Sequence, residues 1–162
     1  MDRERLIKKR EALKAKLEIE ARLGCINDLI EHFDQNEIKY RIHMNCEKVI
    51  EALFSYPAEF SGLNWDQIPN SKKVIYHSIT ERNKIISTAI TDHLDLSDTI
   101  FVTWGDGYKP ILETTANLAA ENLGVMADED FDMWVLNLEK GFCLENYHEG
   151  HVAWTSATLS LL

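Results

Sequence analysis

Apolar positions recur at helical spacing through the first half of the chain. In the last third they change to short runs separated by turn residues. Residues 2–22 are rich in Leu, Ala, Glu, Lys and Arg and contain no Gly or Pro, and Leu6, Leu13, Leu17 and Ala21 recur at three-to-four spacing; this predicts a helix. Gly24 ends or kinks it, and Ile26, Leu29, Ile30 and Phe33 define a second helical face that closes near Asn36. The stretch EIKYRIHM places Ile38, Tyr40, Ile42 and Met44 at every second position, the period of a strand, with a helix as the alternative. Val49, Ile50, Leu53 and Phe54 share one side of a short helix that Asn45 is placed to cap and Pro57 to stop. Residues 56–72 read as a loop rich in aromatic and turn residues. A short strand over 73–79 leads into a helix over 80–94, with Ile85, Ile86, Ala89, Ile90 and Leu94 on its apolar face.

The last third reads as strands. DTIFVTW, residues 98–104, is β-branched and aromatic and runs into the turn Gly105-Asp106-Gly107. Pro110 suits the first turn of a helix through Asn122, with Gly124 just past its end. FDMWVLNL, FCLENYH and HVAWTSA follow, separated by turns at Glu139-Lys140-Gly141 and Glu149-Gly150, which is the spacing of an antiparallel meander. The expected fold class is α+β: N-terminal helices packed on a mainly antiparallel C-terminal sheet, with strands near 99–104, 131–138, 142–148 and 151–157. A length of 162 residues suits a single domain spanning 1–162, with the 2–22 helix peripheral to it.

Charge changes this picture more than composition does. Hydrophobic and charged contents of 45% and 27% are those of an ordinary globular protein. The formal net charge of −10, however, is unevenly placed: residues 92–162 hold thirteen Asp or Glu and two basic side chains, Lys109 and Lys140, whereas residues 1–48 hold eleven basic and ten acidic ones. Such a field repels nucleic acid and anionic membranes and attracts cationic proteins. Residues 1–22 alternate charged and apolar positions without the continuous apolar stretch of a signal peptide, and no run of 18 apolar residues is present, so neither export nor a membrane span is expected. Cys25, Cys46 and Cys143 are odd in number and far apart, which fits core packing in a reducing cytoplasm.

The candidate chemistry is sparse. His148 and His151, with Glu145 nearby, form the best metal candidate, and a metal-dependent hydrolase using them with neighbouring carboxylates is one alternative function. The spacing is not that of a helical zinc motif, and two imidazoles at a solvated hairpin tip are the plainer account. Gly105-Asp106-Gly107 lacks the remainder of a phosphate loop. Asp128, Glu129, Asp130 and Asp132 are the densest acidic run, suited to a solvated loop, to a hard cation, or to a basic partner. No nucleophile motif occurs, so no catalytic residue, metal or cofactor is assigned. Trp134 reads as core, Trp104 and Trp154 as core or interface, and Trp65, in GLNWDQ, as the tryptophan expected to be exposed. The expected partner-binding set is Asp106, Asp128, Glu129, Asp130, Asp132 and Glu149, with Tyr147 or Trp65 as an aromatic anchor. A further alternative is a non-catalytic oligomerisation domain that associates through residues 2–22.

The stretch DEDFDMWVLNLEKGFCLENYHEGHVAW, residues 128–154, resembles the immunity proteins of bacterial polymorphic toxins. The type it is most similar to is the contact-dependent growth inhibition immunity protein paired with an EndoU-like ribonuclease toxin. The resemblance implies a cytoplasmic, one-to-one complex with a toxin domain whose active site or substrate surface is blocked. It carries over no functional residues, and the N-terminal helical third takes no part in it. A nuclease presents a basic groove to phosphates, and an acidic protein can occupy such a groove.

Overall fold

In the computed structural model, residues 3–60 and 62–156 are described; the predicted helix start at residue 2 and the predicted strand end at residue 157 lie outside them. Among the described residues there are six α-helices and one seven-stranded sheet, so the α+β expectation holds. The helices are α1 (Arg3–Gly24), α2 (Asn27–Gln35), α3 (Glu47–Phe54), α4 (Ile79–His93), α5 (Ala116–Glu121) and α6 (Leu123–Ala127). The strands are β1 (Arg41–His43), β2 (Lys72–Ile75), β3 (Thr99–Trp104), β4 (Ile111–Thr115), β5 (Met133–Asn137), β6 (Phe142–Tyr147) and β7 (His151–Thr155).

The order across the sheet is β1-β4-β3-β5-β6-β7-β2, and every pairing is antiparallel. The predicted meander is β5-β6-β7, and its turns sit where the glycines allow them: Gly141 and Gly150 both adopt positive φ, 63° and 90°. The two short strands from the N-terminal half close the sheet at its opposite edges.

One expectation is corrected. The predicted helix from Pro110 to Asn122 begins instead as β4, and only then turns helical. Ile111, Thr114 and Thr115 are β-branched, and the segment is claimed on both sides, by β3 and by β1. The helix starts after Thr115, whose hydroxyl accepts from the Leu118 N–H, and Gly124 lies inside α6 rather than beyond a helix end. The start of α4 shows the same capping chemistry: Ser78 Oγ accepts from Glu81 N–H at 3.1 Å, while Glu81 reaches back to His77 N–H.

Alternation along the strands sends side chains to two cores. On one face Ile100, Val102, Met133, Val135, Phe142, Leu144 and Val152 meet α2, α4, α5 and α6. On the other, Leu136, Cys143 and Ala153 meet α3 and the segment 56–68 through Val49, Tyr56, Leu63, Trp65 and Ile68. Because β5 and β7 are covered on both faces, their sequences read as nearly continuous apolar runs. Burial pushes the Cys143 thiol well above its ordinary range. α1 lies apart from both cores, with Leu6, Leu13 and Leu17 exposed. No helix among the described residues is long and apolar enough to cross a membrane.

This division sets the stability of each part. Phe33 of α2 is fully buried and packs edge-on to Tyr40 at 5.5 Å. Phe33→Ala is expected to cost about 3–5 kcal/mol in urea denaturation. Leu13→Ala on α1 should change stability by less than about 0.5 kcal/mol.

Candidate interaction surface

Antiparallel order brings the C-terminal ends of β3, β6 and β2 to the same end of the sheet as the N-terminal ends of β4, β5 and β7. Three of the connections at that end, 105–110, 128–132 and 148–150, bear carboxylates. They carry Asp106, Asp128, Glu129, Asp130, Asp132 and Glu149, against one lysine, Lys109. All six carboxylates singled out from the sequence therefore share one end of the sheet. At the other end Asp95 and Asp98 converge on Lys140, each at 2.6 Å, and the lysine holds the Asp98 carboxyl below its usual range.

The six carboxylates do different work. Lys109 is clamped between Glu129 at 3.1 Å and Asp130 at 3.9 Å, and the Glu129 side chain is only 13% exposed. Asp130 also accepts from the backbone N–H groups of Asp106 and Phe131. Asp132 accepts from the backbone N–H of His148 at 2.8 Å and meets its Nδ1 at 2.9 Å. These three acids knit the turns together. Asp128 pairs with Arg82 of α4 at 2.7 Å yet leaves 55% of its side chain exposed. Asp106 accepts from Tyr108 N–H and is exposed, as is Glu149. The negative charge turned toward solvent is thus that of Asp106, Asp128 and Glu149.

The histidines do not sit together at a solvated tip. His148 is half-exposed and engaged with Asp132. His151 lies on β7 beneath the Tyr147 ring, at 5.0 Å between centroids, and burial lowers its pKa further below neutrality. Tyr147 contacts both imidazoles, its ring tilted by 44° to His148 and by 40° to His151. Among the described residues no three His, Cys, Asp or Glu side chains are grouped to hold a metal ion.

Trp65 corrects the sequence reading most sharply. The polar sequence GLNWDQ predicts an exposed indole, whereas Trp65 is 5% exposed. Its indole N–H donates to Oε2 of Glu145, a carboxylate that is itself 1% exposed. Oε1 of the same carboxylate accepts from Trp134 Nε1 at 2.8 Å and from the Leu63 backbone N–H at 3.0 Å. Gly62 permits this approach, because a Cβ there would stand 2.9 Å from Oε1 and 3.0 Å from the Tyr147 ring. The carboxylate's hydrogen-bond partners among the described residues are three neutral donors. Burial holds its pKa above the ordinary value of 4.5, and the three N–H donors only partly offset that.

Beside the acidic end, on the α3 face of the sheet, lies a cleft of about 470 Å³. Its walls are Val49, Leu53, Leu63, Ile111 and Trp134, and Gly105, Gly107 and Lys109 join it to the acidic turns. Ile50, Phe54 and Phe60 stand at its rim, Phe54 being 81% exposed and Phe60 fully so. Nothing in the local sequence distinguished these phenylalanines from core residues, since Phe54 shares the periodicity of Val49 and Leu53.

The Glu145 network makes a prediction with a definite sign. Because its folded-state pKa is raised, the folded protein takes up this proton before the unfolded chain does. Its contribution to stability therefore grows as pH falls from above the raised value toward 4.5. Glu145→Gln should remove that increment, so urea midpoints of variant and parent, compared across this window, should diverge as the pH falls. At neutral pH the variant amide also turns a donor toward Trp65 Nε1–H or Trp134 Nε1–H, costing about 1–3 kcal/mol.

The profile of the family described as CdiI immunity protein EcoliA0-like matches residues 24–155, which include both cores, the acidic end and the cleft but not most of α1. No curated protein matches the chain. With most of its length accounted for by that profile, the chain belongs to the CdiI immunity protein family and is an immunity protein directed against a contact-dependent growth inhibition toxin.

Proposed function

We propose that this immunity protein neutralises a cationic toxin domain in the cytoplasm by setting the acidic end of its sheet over the toxin's active site or substrate groove. It acts as a non-catalytic inhibitor in a one-to-one complex. The observation that carries this reading is the gathering of six carboxylates from three separate turns at one end of the sheet. The chemistry complementary to such a surface is the basic groove of a nuclease, and an EndoU-like ribonuclease is the form the sequence resemblance implies.

Within the predicted set, Asp106, Asp128 and Glu149 meet the partner directly, since they carry the outward charge. Glu129, Asp130 and Asp132 fix the shape of the surface through Lys109 and His148, with Tyr147 packed beneath. Trp65 acts from inside, as a prop under that surface rather than an anchor on it. Like charges held on adjacent rigid turns repel one another, and a cationic partner relieves that repulsion on binding.

Asp106→Asn combined with Glu149→Lys tests the reading without disturbing an internal ion pair. Asn preserves the acceptor for Tyr108 N–H, and Glu149 is exposed. Stopped-flow association with the cognate toxin domain should slow by about tenfold at low ionic strength, with the difference closing as salt is raised. An unchanged rate and salt dependence, with the fold intact, would remove the acidic end from the interface.

A further inference from the structure

We infer that the apolar cleft is a second contact point for the same toxin domain, receiving a protruding apolar side chain that is flanked on the toxin by basic residues. The inference rests on the reading that the acidic end faces the toxin. The cleft is continuous with that end, because Gly105, Gly107 and Lys109 belong both to its lining and to the acidic turn. A partner seated on Asp106 therefore lies at the mouth of the cleft.

The rim identifies the kind of occupant. Phe54 and Phe60 project outward from α3 and from the following segment, leaving two large aromatic faces in water at neighbouring positions. Soluble proteins seldom leave such patches uncovered. A small molecule held within the cleft would meet only the inward sides of these two rings and leave their outer faces in water, whereas a protein surface laid across the mouth covers both. The two cations that line the cleft are already engaged, Arg22 with the Tyr108 and Lys109 carbonyls and Lys109 with Glu129 and Asp130, so neither is free to orient a small anionic ligand.

A second copy of this chain is a poor occupant. A two-fold contact pairs a patch with itself and would bring the carboxylates around Asp106 against their own images. A cationic partner has no such penalty. Apolar anchors at the centre with charge at the margin is the arrangement in which a few side chains carry most of the binding free energy.

Part of the cleft wall is also held in place from the interior. Leu63 and Trp134, two of its walls, are fixed by the same buried carboxylate of Glu145. A preformed pocket loses little conformational freedom when it is filled.

The test is Phe54→Ser with Phe60→Ser, measured against the cognate toxin domain purified from co-expression with this chain. Both side chains are exposed, so thermal denaturation should show the parent's stability. The expected result is faster dissociation and an affinity lower by about 100-fold, with the salt dependence of association unchanged. If the double variant binds within about threefold of the parent while Asp106→Asn/Glu149→Lys binds more slowly, the cleft inference is overturned and the acidic reading stands. If the phenylalanine variant weakens binding while the charge variant does not, the acidic reading falls and the cleft contact is kept. Sedimentation supplies the remaining arm: a parent dimer that the phenylalanine variant dissolves would overturn the toxin as occupant.

Discussion

The buried carboxylate of Glu145 constrains the rest of the molecule more than any other single group. It lies on β6 directly opposite Trp134 of β5, and it also gathers Trp65 and the Leu63 backbone from a segment that has almost no regular secondary structure of its own. An ionised carboxylate taken out of water is costly unless its acceptor positions are filled. Here the filling donors come from two different parts of the chain, so the requirement to satisfy one charge fixes the position of a whole loop. That loop carries Tyr56, Leu63 and Ile68 into the second core, where it shares with α3 the covering of that face of the sheet.

The consequence reaches the surface. Trp134 and Leu63 are at once donors to Glu145 and walls of the apolar cleft, while Tyr147, whose ring limits the space around Gly62, underlies the turn bearing Glu149. An electrostatic demand in the interior is thereby translated into the shape of the exposed end. The acids of that end are divided in the same spirit. Glu129, Asp130 and Asp132, largely covered and tied to Lys109, backbone N–H groups and His148, hold the turns in place, while the more exposed Asp106, Asp128 and Glu149 supply the field. Counting carboxylates overstates the field, because Lys109 and Arg82 already neutralise part of it.

Local signals made the C-terminal architecture legible. Turn glycines at 141 and 150 separated three β-rich runs, and the antiparallel meander followed from their spacing. β4 was missed because Pro110 and Gly124 carry the punctuation of a helix, while the claim on residues 111–115 comes from pairing with two strands, one of them far earlier in the chain. Trp65 was misjudged for a related reason. Its neighbours Asn64 and Asp66 are polar, and the partner that draws its indole inward lies 80 residues away. The ends of the strands were readable as acidic; that Arg82 of α4 and Lys109 of the facing turn would claim part of that charge was not, since neither is a sequence neighbour of the acids it binds.

The distribution of buried and exposed parts also bears on the proposal that recognition uses the sheet end. A protein that must match one toxin has to alter its recognition surface without altering its fold. Side chains on the faces of the central strands are poor places for such change, because most are packed against helices or the 56–68 segment, and substitutions there open cavities or force strain. Turns at a sheet end are different: their side chains face solvent, and the strands they join are fixed by pairing on both sides. The profile of the family spans the cores and these turns alike, while most of α1 lies outside it and away from both cores. On the proposed reading, Asp106, Asp128, Glu149 and the phenylalanines of the cleft rim are positions that can change without opening either core, while Glu145 and its three donors keep the platform beneath them in place.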